Sequence, residues 1–260
     1  MGEAPREEVD GVEVRRLPVS RNRGSSMLSQ AFEYLRFLVL AAGWVAFAHL
    51  RRPFSVIQVH TPPDALVFAA TIPKLFGAKV ILDIHDLLPE FFAARTGRSL
   101  DDRVLAIVAA EERISCRFAD RVVTVTSHWR DELAGRGVDP EKLSVVMNLA
   151  DADIFGDVTA KEPEKERFVV LYHGTFTERY GVDLLLDAAS RLRTEIPGLE
   201  VRLVGDGEQR EVLHARVREE GLEDVVLISD GMVGPDRLPG VLADADVGVV
   251  PNRSNVFTDG

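Results

Sequence analysis

The sequence predicts an α/β protein built from two successive parallel-sheet domains, and three observations carry that reading. Apolar runs of strand length alternate with longer helical patterns almost throughout the chain. Several of these runs are continuous rather than alternating, as in Val80-Ile81-Leu82 and Val122-Val123. A charged stretch with no apolar period, residues 157–166 with Pro163 inside it, divides the series in two. Alternating strand and helix patterns are the signal of βαβ units, and continuous Val, Ile and Leu runs fit parallel strands covered on both faces. The charged break reads as a linker.

The first domain, residues 1–156, is expected to hold strands at 12–19, 55–59, 79–84, 121–126 and 143–147. Helices are expected at 28–50, 64–76, 100–118 and 128–135. The second domain, residues 157–260, offers strands at 168–172, 201–204, 225–228 and 247–250, with helices at 182–194, 208–220 and 237–242. The first strand follows directly on a polar start, and only ten residues follow the last. An open sheet needs a helix over its last strand, so both domains are expected to be incomplete and the chain to be a fragment.

Composition excludes several partners. Of 260 residues, 46% are hydrophobic and 28% charged, enough apolar material for one large domain or two modest cores. A formal charge of −11 argues against nucleic acid, whose phosphates need a basic face, yet leaves room for an anionic small molecule in a local positive pocket. The single cysteine, Cys116, rules out a disulfide framework and a cysteine-based metal site, and is expected to be a buried thiol. The acidic, polar first ten residues are unlike a secretory signal, which points to the cytoplasm. The most apolar run, residues 37–50, falls short of the roughly 20 residues needed to cross a bilayer. Core burial is expected for it, with peripheral contact to an anionic membrane on the cytoplasmic face as the alternative, given Arg36, Arg51 and Arg52 at its ends.

Sites on open α/β sheets lie beyond the carboxyl ends of the strands, so the residues just after each apolar run carry the information. These are His60-Thr61-Pro62-Pro63-Asp64, His85-Asp86-Leu87-Leu88-Pro89-Glu90, His173-Gly174-Thr175-Phe176-Thr177-Glu178-Arg179-Tyr180-Gly181 and Gly205-Asp206-Gly207. Such polar, glycine-bearing ends suit a ligand with a phosphate and a sugar. Gly174 allows close backbone approach, and a helix starting near Gly181 would aim its amides and positive dipole end at the same place. Arg179 supplies a forked cation for a diphosphate. Gly-x-Gly-x-x-Gly after a strand and Gly-x-x-x-x-Gly-Lys-Ser/Thr are both missing, which disfavours a dinucleotide oxidoreductase and a P-loop nucleotidase. Gly-x-Ser-x-Gly and His-Glu-x-x-His are missing too.

Residues 81–90 and 172–183, with Asn148-Leu149-Ala150-Asp151-Ala152-Asp153-Ile154-Phe155, Val204-Gly205-Asp206-Gly207 and 243–251, resemble the motifs of bacterial family-4 (group 1) retaining glycosyltransferases of the GT-B fold. The likeness covers nearly the whole chain. It implies two Rossmann-like domains facing a cleft, and transfer of a sugar from a nucleotide diphosphate donor to a glycan, lipid-linked or small-molecule acceptor. The anomeric configuration would be retained, with no metal ion and no cofactor beyond the nucleotide sugar. By position, Gly174, Thr175, Arg179, Tyr180, Gly205 and Asp206 would serve the donor, and Gly231, Met232 and Val233 the base. His60 and His85 would face the sugar or acceptor, making them the catalytic candidates together with Arg179. The sequence departs from the family where Thr175 replaces an Arg and Tyr180 a Lys. The family's paired Glu motif is not completed by Gly260, with Asp259 only near its expected start, and the usual first strand with its glycine-rich loop is missing. Catalysis by these 260 residues alone is therefore not expected. The alternatives are a GT-B sugar-nucleotide epimerase and a two-lobed sugar-nucleotide-binding protein without turnover.

Overall fold

The computed structural model describes residues 4–19, 27–97, 102–156 and 166–254, so nearly all of the expected linker lies outside the described residues. Two compact units divide the chain, the first running to Asn148 and the second starting at Leu149.

The first unit opens with a hairpin of β1 (Arg6–Val9) and β2 (Val12–Arg15), paired antiparallel. Asp10 (φ 50°) and Gly11 (φ 79°) form its two-residue turn, the positive-φ pair that matches strand twist. The strand expected at 12–19 is thus shorter and belongs to a separate two-stranded sheet, not to the parallel one. Its partner escapes a hydrophobicity reading because three of its four residues are charged.

Next comes α1 (Met27–Arg51), 25 residues long. Two expectations change here. The helix outruns the 37–50 apolar run, and Ser29–Arg51 is long and apolar enough to cross a membrane by length and composition. Core burial is not what it shows: among its described side chains only His49 is buried, while Phe32, Leu35, Val39 and Leu50 are more than half exposed. Their spacing of three, four and eleven residues runs apolar groups down the outer face as well as the inner one.

The parallel sheet follows. After β3 (Val56–His60) come a 3-10 segment (Asp64–Ala70), α2 (Thr71–Leu75), β4 (Lys79–Ile84), α3 (Leu88–Thr96), α4 (Arg103–Phe118), β5 (Arg121–Thr124), α5 (Ser127–Gly135) and β6 (Leu143–Val145). Its order is β3-β4-β5-β6, every neighbour parallel. Capping explains where the helices begin: the Asp102 carboxylate accepts from the Val104 amide, and the Thr126 hydroxyl from the Trp129 amide at 3.1 Å. Val80, Leu82, Ile84, Val122 and Leu133 are fully buried in one core. The short α3 is not among the expected helices; Pro89 lies in its first turn, where proline is tolerated.

Beneath this core lies a group of acids. Asp64 is fully buried and neither carboxyl oxygen has a partner among the described residues. Burial, reinforced by the Glu111 and Glu112 charges, pushes its pKa up to about 8. Burial also raises Glu112 to about 7 against the pull of Arg136, and raises Glu111. Arg136 bridges Glu112 at 3.1 Å and Glu90. Cys116 packs alongside, fully buried, as expected of an inert thiol.

The second unit runs α6 (Ala152–Phe155), β7 (Phe168–Thr175), α7 (Asp183–Leu192), β8 (Leu199–Asp206), α8 (Arg210–Glu219), β9 (Val226–Ile228), α9 (Leu238–Ala243) and β10 (Val247–Gly248). Its sheet order is β10-β7-β8-β9, again all parallel. Phe176, Leu186, Leu203, Leu213 and Leu222 fill its core. Asp246 accepts from the Val169 amide at 2.7 Å and ties β10 to β7.

Candidate functional site

In the second unit the expected donor residues share one edge. Strand β7 extends to Thr175 rather than stopping at 172, because Gly174 still pairs with Gly205 and Thr175 with Asp206. These residues are therefore ends of the ladder, held by backbone bonds, and not a free loop. Beyond them the chain is stitched down: the Phe176 amide donates to the Asp206 carbonyl at 2.8 Å, and the Phe176 carbonyl accepts from the Gln209 amide at 3.0 Å. Tyr172 donates its hydroxyl hydrogen to the Thr175 carbonyl at 2.9 Å.

Gly205 answers to packing before any ligand. A Cβ there would be driven into the Gly174 carbonyl oxygen. Gly205→Ala is expected to destabilise the second unit by about 3 kcal/mol, the upper end for overpacking. Urea unfolding reads this, with Gly240→Ala as control because a Cβ there meets open space; equal midpoints would refute it.

Two residues that the sequence reading passed over fix this edge. Arg210, in the first turn of α8, donates to the Gly205 carbonyl at 3.2 Å and to the Ser229 carbonyl at 2.5 Å. The Ser229 hydroxyl accepts from the Gly205 amide at 3.0 Å and donates to the Gly231 carbonyl at 2.8 Å. Together they join the end of β8 to the segment after β9. On that segment Met232 is 67% exposed, with Gly231 and Val233 half-buried on either side. Arg210 also lies 3.8 Å from the Asp206 carboxylate.

Arg179 and Tyr180 lie in a 3-10 turn (Glu178–Tyr180) between β7 and α7. The Arg179 guanidinium sits over the Tyr180 ring, 4.9 Å from its centre, and donates to the Tyr180 hydroxyl at 3.3 Å. Gly181 (φ 62°) closes the turn, and a Cβ there would meet the Pro251 carbonyl oxygen. The start of α7 already holds a carboxylate: Asp183 pairs with Arg253 at 2.5 Å. The Leu184 and Leu185 amides are bonded to the Gly181 and Val182 carbonyls. Dipole and amides at this tip are thus partly spent inside the turn.

In the first unit His60 and His85 are brought together, Nδ1 of one 2.9 Å from Nε2 of the other. Sequence spacing missed the third member. Asp83, buried at the end of β4, lies 3.3 Å from His60 Nδ1 and 3.7 Å from His85 Nε2. Gln58 donates to the same carboxylate at 2.7 Å. The register pairing His60 with Asp83 creates the group, and no motif announces it. Away from these residues, a cavity of about 380 Å³ lined by Arg113, Cys116, Arg117 and Lys142 sits at the amino-terminal ends of β5 and β6.

Comparison with known proteins decides the family. Residues 2–148 match the model of the glycosyl transferase 4-like domain, and residues 157–258 that of glycosyl transferases group 1. The chain belongs to this glycosyltransferase family. Among curated relatives, this glycosyltransferase chain is similar to a 2-deoxystreptamine N-acetyl-D-glucosaminyltransferase of Streptomyces fradiae, 32% identical over 275 residues and covering 95% of the chain and 62% of the relative. It is also similar to a 2-deoxystreptamine glucosyltransferase of Streptomyces kanamyceticus, 28% identical over 93% of the chain and 64% of the relative. It spans less than two thirds of the length of each. Among solved structures, sucrose-phosphate synthase from Thermosynechococcus elongatus aligns with a TM-score of 0.71 at 20% identity, over 98% of the chain and 64% of that protein. Anabaena HepE in complex with UDP aligns at 0.63 and 18%, over 82% and 57%. These likenesses show the fold: GT-B, with two Rossmann-like parallel-sheet domains.

Proposed function

We propose that the chain forms the binding core of a retaining glycosyltransferase that moves a sugar from a nucleoside diphosphate to an acceptor, with no metal ion at the diphosphate. One observation carries the reading: the ladder ends Gly174–Thr175 and Gly205–Asp206, the Arg179 turn and the Gly231–Val233 segment share the carboxyl edge of one parallel sheet, in a chain matched by glycosyltransferase models along most of its length. As the bond from anomeric carbon to diphosphate breaks, negative charge grows on the leaving group and positive charge on the sugar. A preorganised cation and amides at the diphosphate lower that barrier most. Arg179 supplies the cation, Gly174 the close backbone approach, and the backbone at 231–233 a seat for the base. His60 and His85 face the sugar or acceptor. Retention rests on the motif resemblance.

The acceptor class follows from charge. At −11 the chain attracts cations, and two relatives are named for 2-deoxystreptamine, an aminocyclitol; a small polyamine acceptor is therefore placed ahead of a lipid-linked glycan. The test incubates the protein with UDP-glucose or UDP-N-acetylglucosamine, each acceptor in turn, and EDTA, and follows products by mass spectrometry and anomeric configuration by NMR. A retained-configuration product on the aminocyclitol is expected, with a saturating donor raising stability by roughly 3 kcal/mol. No product together with no stabilisation by any nucleotide sugar would contradict the reading.

A further inference from the structure

We infer that the cavity between α4 and the chain leading into β6 is a binding site for a small dianionic phosphate monoester. It measures about 380 Å³, and its walls include Arg113, Cys116, Arg117, Val138, Asp139 and Lys142. Three cations against one acid give the lining a formal charge of +2, in a chain whose total is −11. A phosphate monoester carries about −1.5 to −2 at neutral pH and balances that charge. A diester, with a single negative charge, leaves it unbalanced.

Arg113 and Arg117 stand four residues apart on α4 and so share one face of the helix. Both are exposed, and neither guanidinium has a hydrogen-bond or ion-pair partner among the described residues. Like charges at that spacing repel; a phosphate held by the two forked donors relieves the repulsion. The Lys142 ammonium donates to the Arg117 carbonyl at 3.0 Å and to the Ala119 carbonyl at 2.7 Å. Those bonds hold the ammonium in place and cover helix-end carbonyls that would repel an anion. They use two of its three donors and leave the third for a ligand. Asp139 does not neutralise the cations: its carboxylate accepts from the Glu141 amide at 3.0 Å and forms no ion pair among the described residues. Cys116 and Val138, both buried, give an apolar floor for the carbon part of the ester. The cavity lies at the amino-terminal ends of the strands, whereas His60 and His85 stand at the carboxyl end of the same sheet. It is therefore independent of the sugar-transfer reading.

Titration of the full chain with glycerol phosphate at constant ionic strength, followed by amide NMR, tests the inference without any activity assay. Saturable shifts are expected at residues 113–117 and 137–142, and dimethyl phosphate, a diester, should bind more weakly. Hydrogen bonds from charged donors are each worth about 10-fold or more in affinity. The double replacement Arg113→Ala with Arg117→Ala should therefore weaken glycerol phosphate by at least about 10-fold. Both side chains are exposed, so the fold should survive, which unchanged circular dichroism verifies. Arg218→Ala, which removes an exposed charge from α8 in the second unit, should bind as the parent does. Three results each overturn the inference: no saturable shift in those two segments, parental affinity in the double replacement, or dimethyl phosphate binding as tightly as glycerol phosphate.

Discussion

Raising the pH from about 5 to 8.5 is expected to destabilise the folded chain by several kcal/mol, and Asp64→Asn is expected to remove most of that loss. The cause is burial without a counter-ion. Asp64 is enclosed beside Glu111 and Glu112, and its pKa stands near 8 against a free value of 3.8; Glu112 stands near 7 against 4.5. Below about pH 4 these groups are protonated in the folded and unfolded states alike, and their contribution is fully present. Between the free and folded values the unfolded chain releases protons that the folded chain keeps, so stability falls as pH rises, with the loss complete once the folded value is passed. At about 1.4 kcal/mol per pKa unit, Asp64 alone accounts for a loss on the order of 2–5 kcal/mol, allowing for water entry and relaxation. Asn keeps the shape and cannot ionise. Thermal melts across that pH range decide the matter: a parent whose midpoint stays level from pH 5 to 8.5, or an Asp64→Asn chain that falls as steeply, would refute it.

Arg179→Ala is expected to weaken UDP binding by about 10–100-fold, the worth of a hydrogen bond to a charged group at 1.5–3 kcal/mol. Uridine, without phosphates, should bind both forms alike. That contrast separates a diphosphate contact from general loosening of the turn, where the guanidinium also covers Tyr180. Arg179→Lys should recover only part of the affinity, because an ammonium keeps the charge but loses the fork. Calorimetric titration reads all three. Equal UDP affinity in parent and Arg179→Ala removes the arginine from the donor site.

The parts of the fold that local pattern dictates could be read from the sequence. The Lys79–Ile84 strand was placed to the residue, since its continuous apolar run is what a strand buried on both faces requires. Strand β7 was found but cut short at Tyr172, because His173, Gly174 and Thr175 look like loop by composition and are strand only through their pairing with β8. Helix α1 was found and its surroundings misjudged: apolar residues all round a helix say that it is hydrophobic, not which neighbour covers it. Asp83 was invisible for another reason. It stands 23 residues from His60 and meets it only through strand register. Arg210 and Ser229 act on backbone atoms, which leave no mark in side-chain pattern.

The central claim, that the carboxyl edge of the second sheet holds the nucleotide diphosphate of an activated sugar, is tested most directly by amide hydrogen exchange with and without UDP-sugar. Slowed exchange at residues 174–181, 205–209 and 229–233, with the first sheet unchanged in its core, is the predicted result. Unchanged exchange over those three segments at a saturating donor concentration, or protection confined to other parts of the chain, would contradict it.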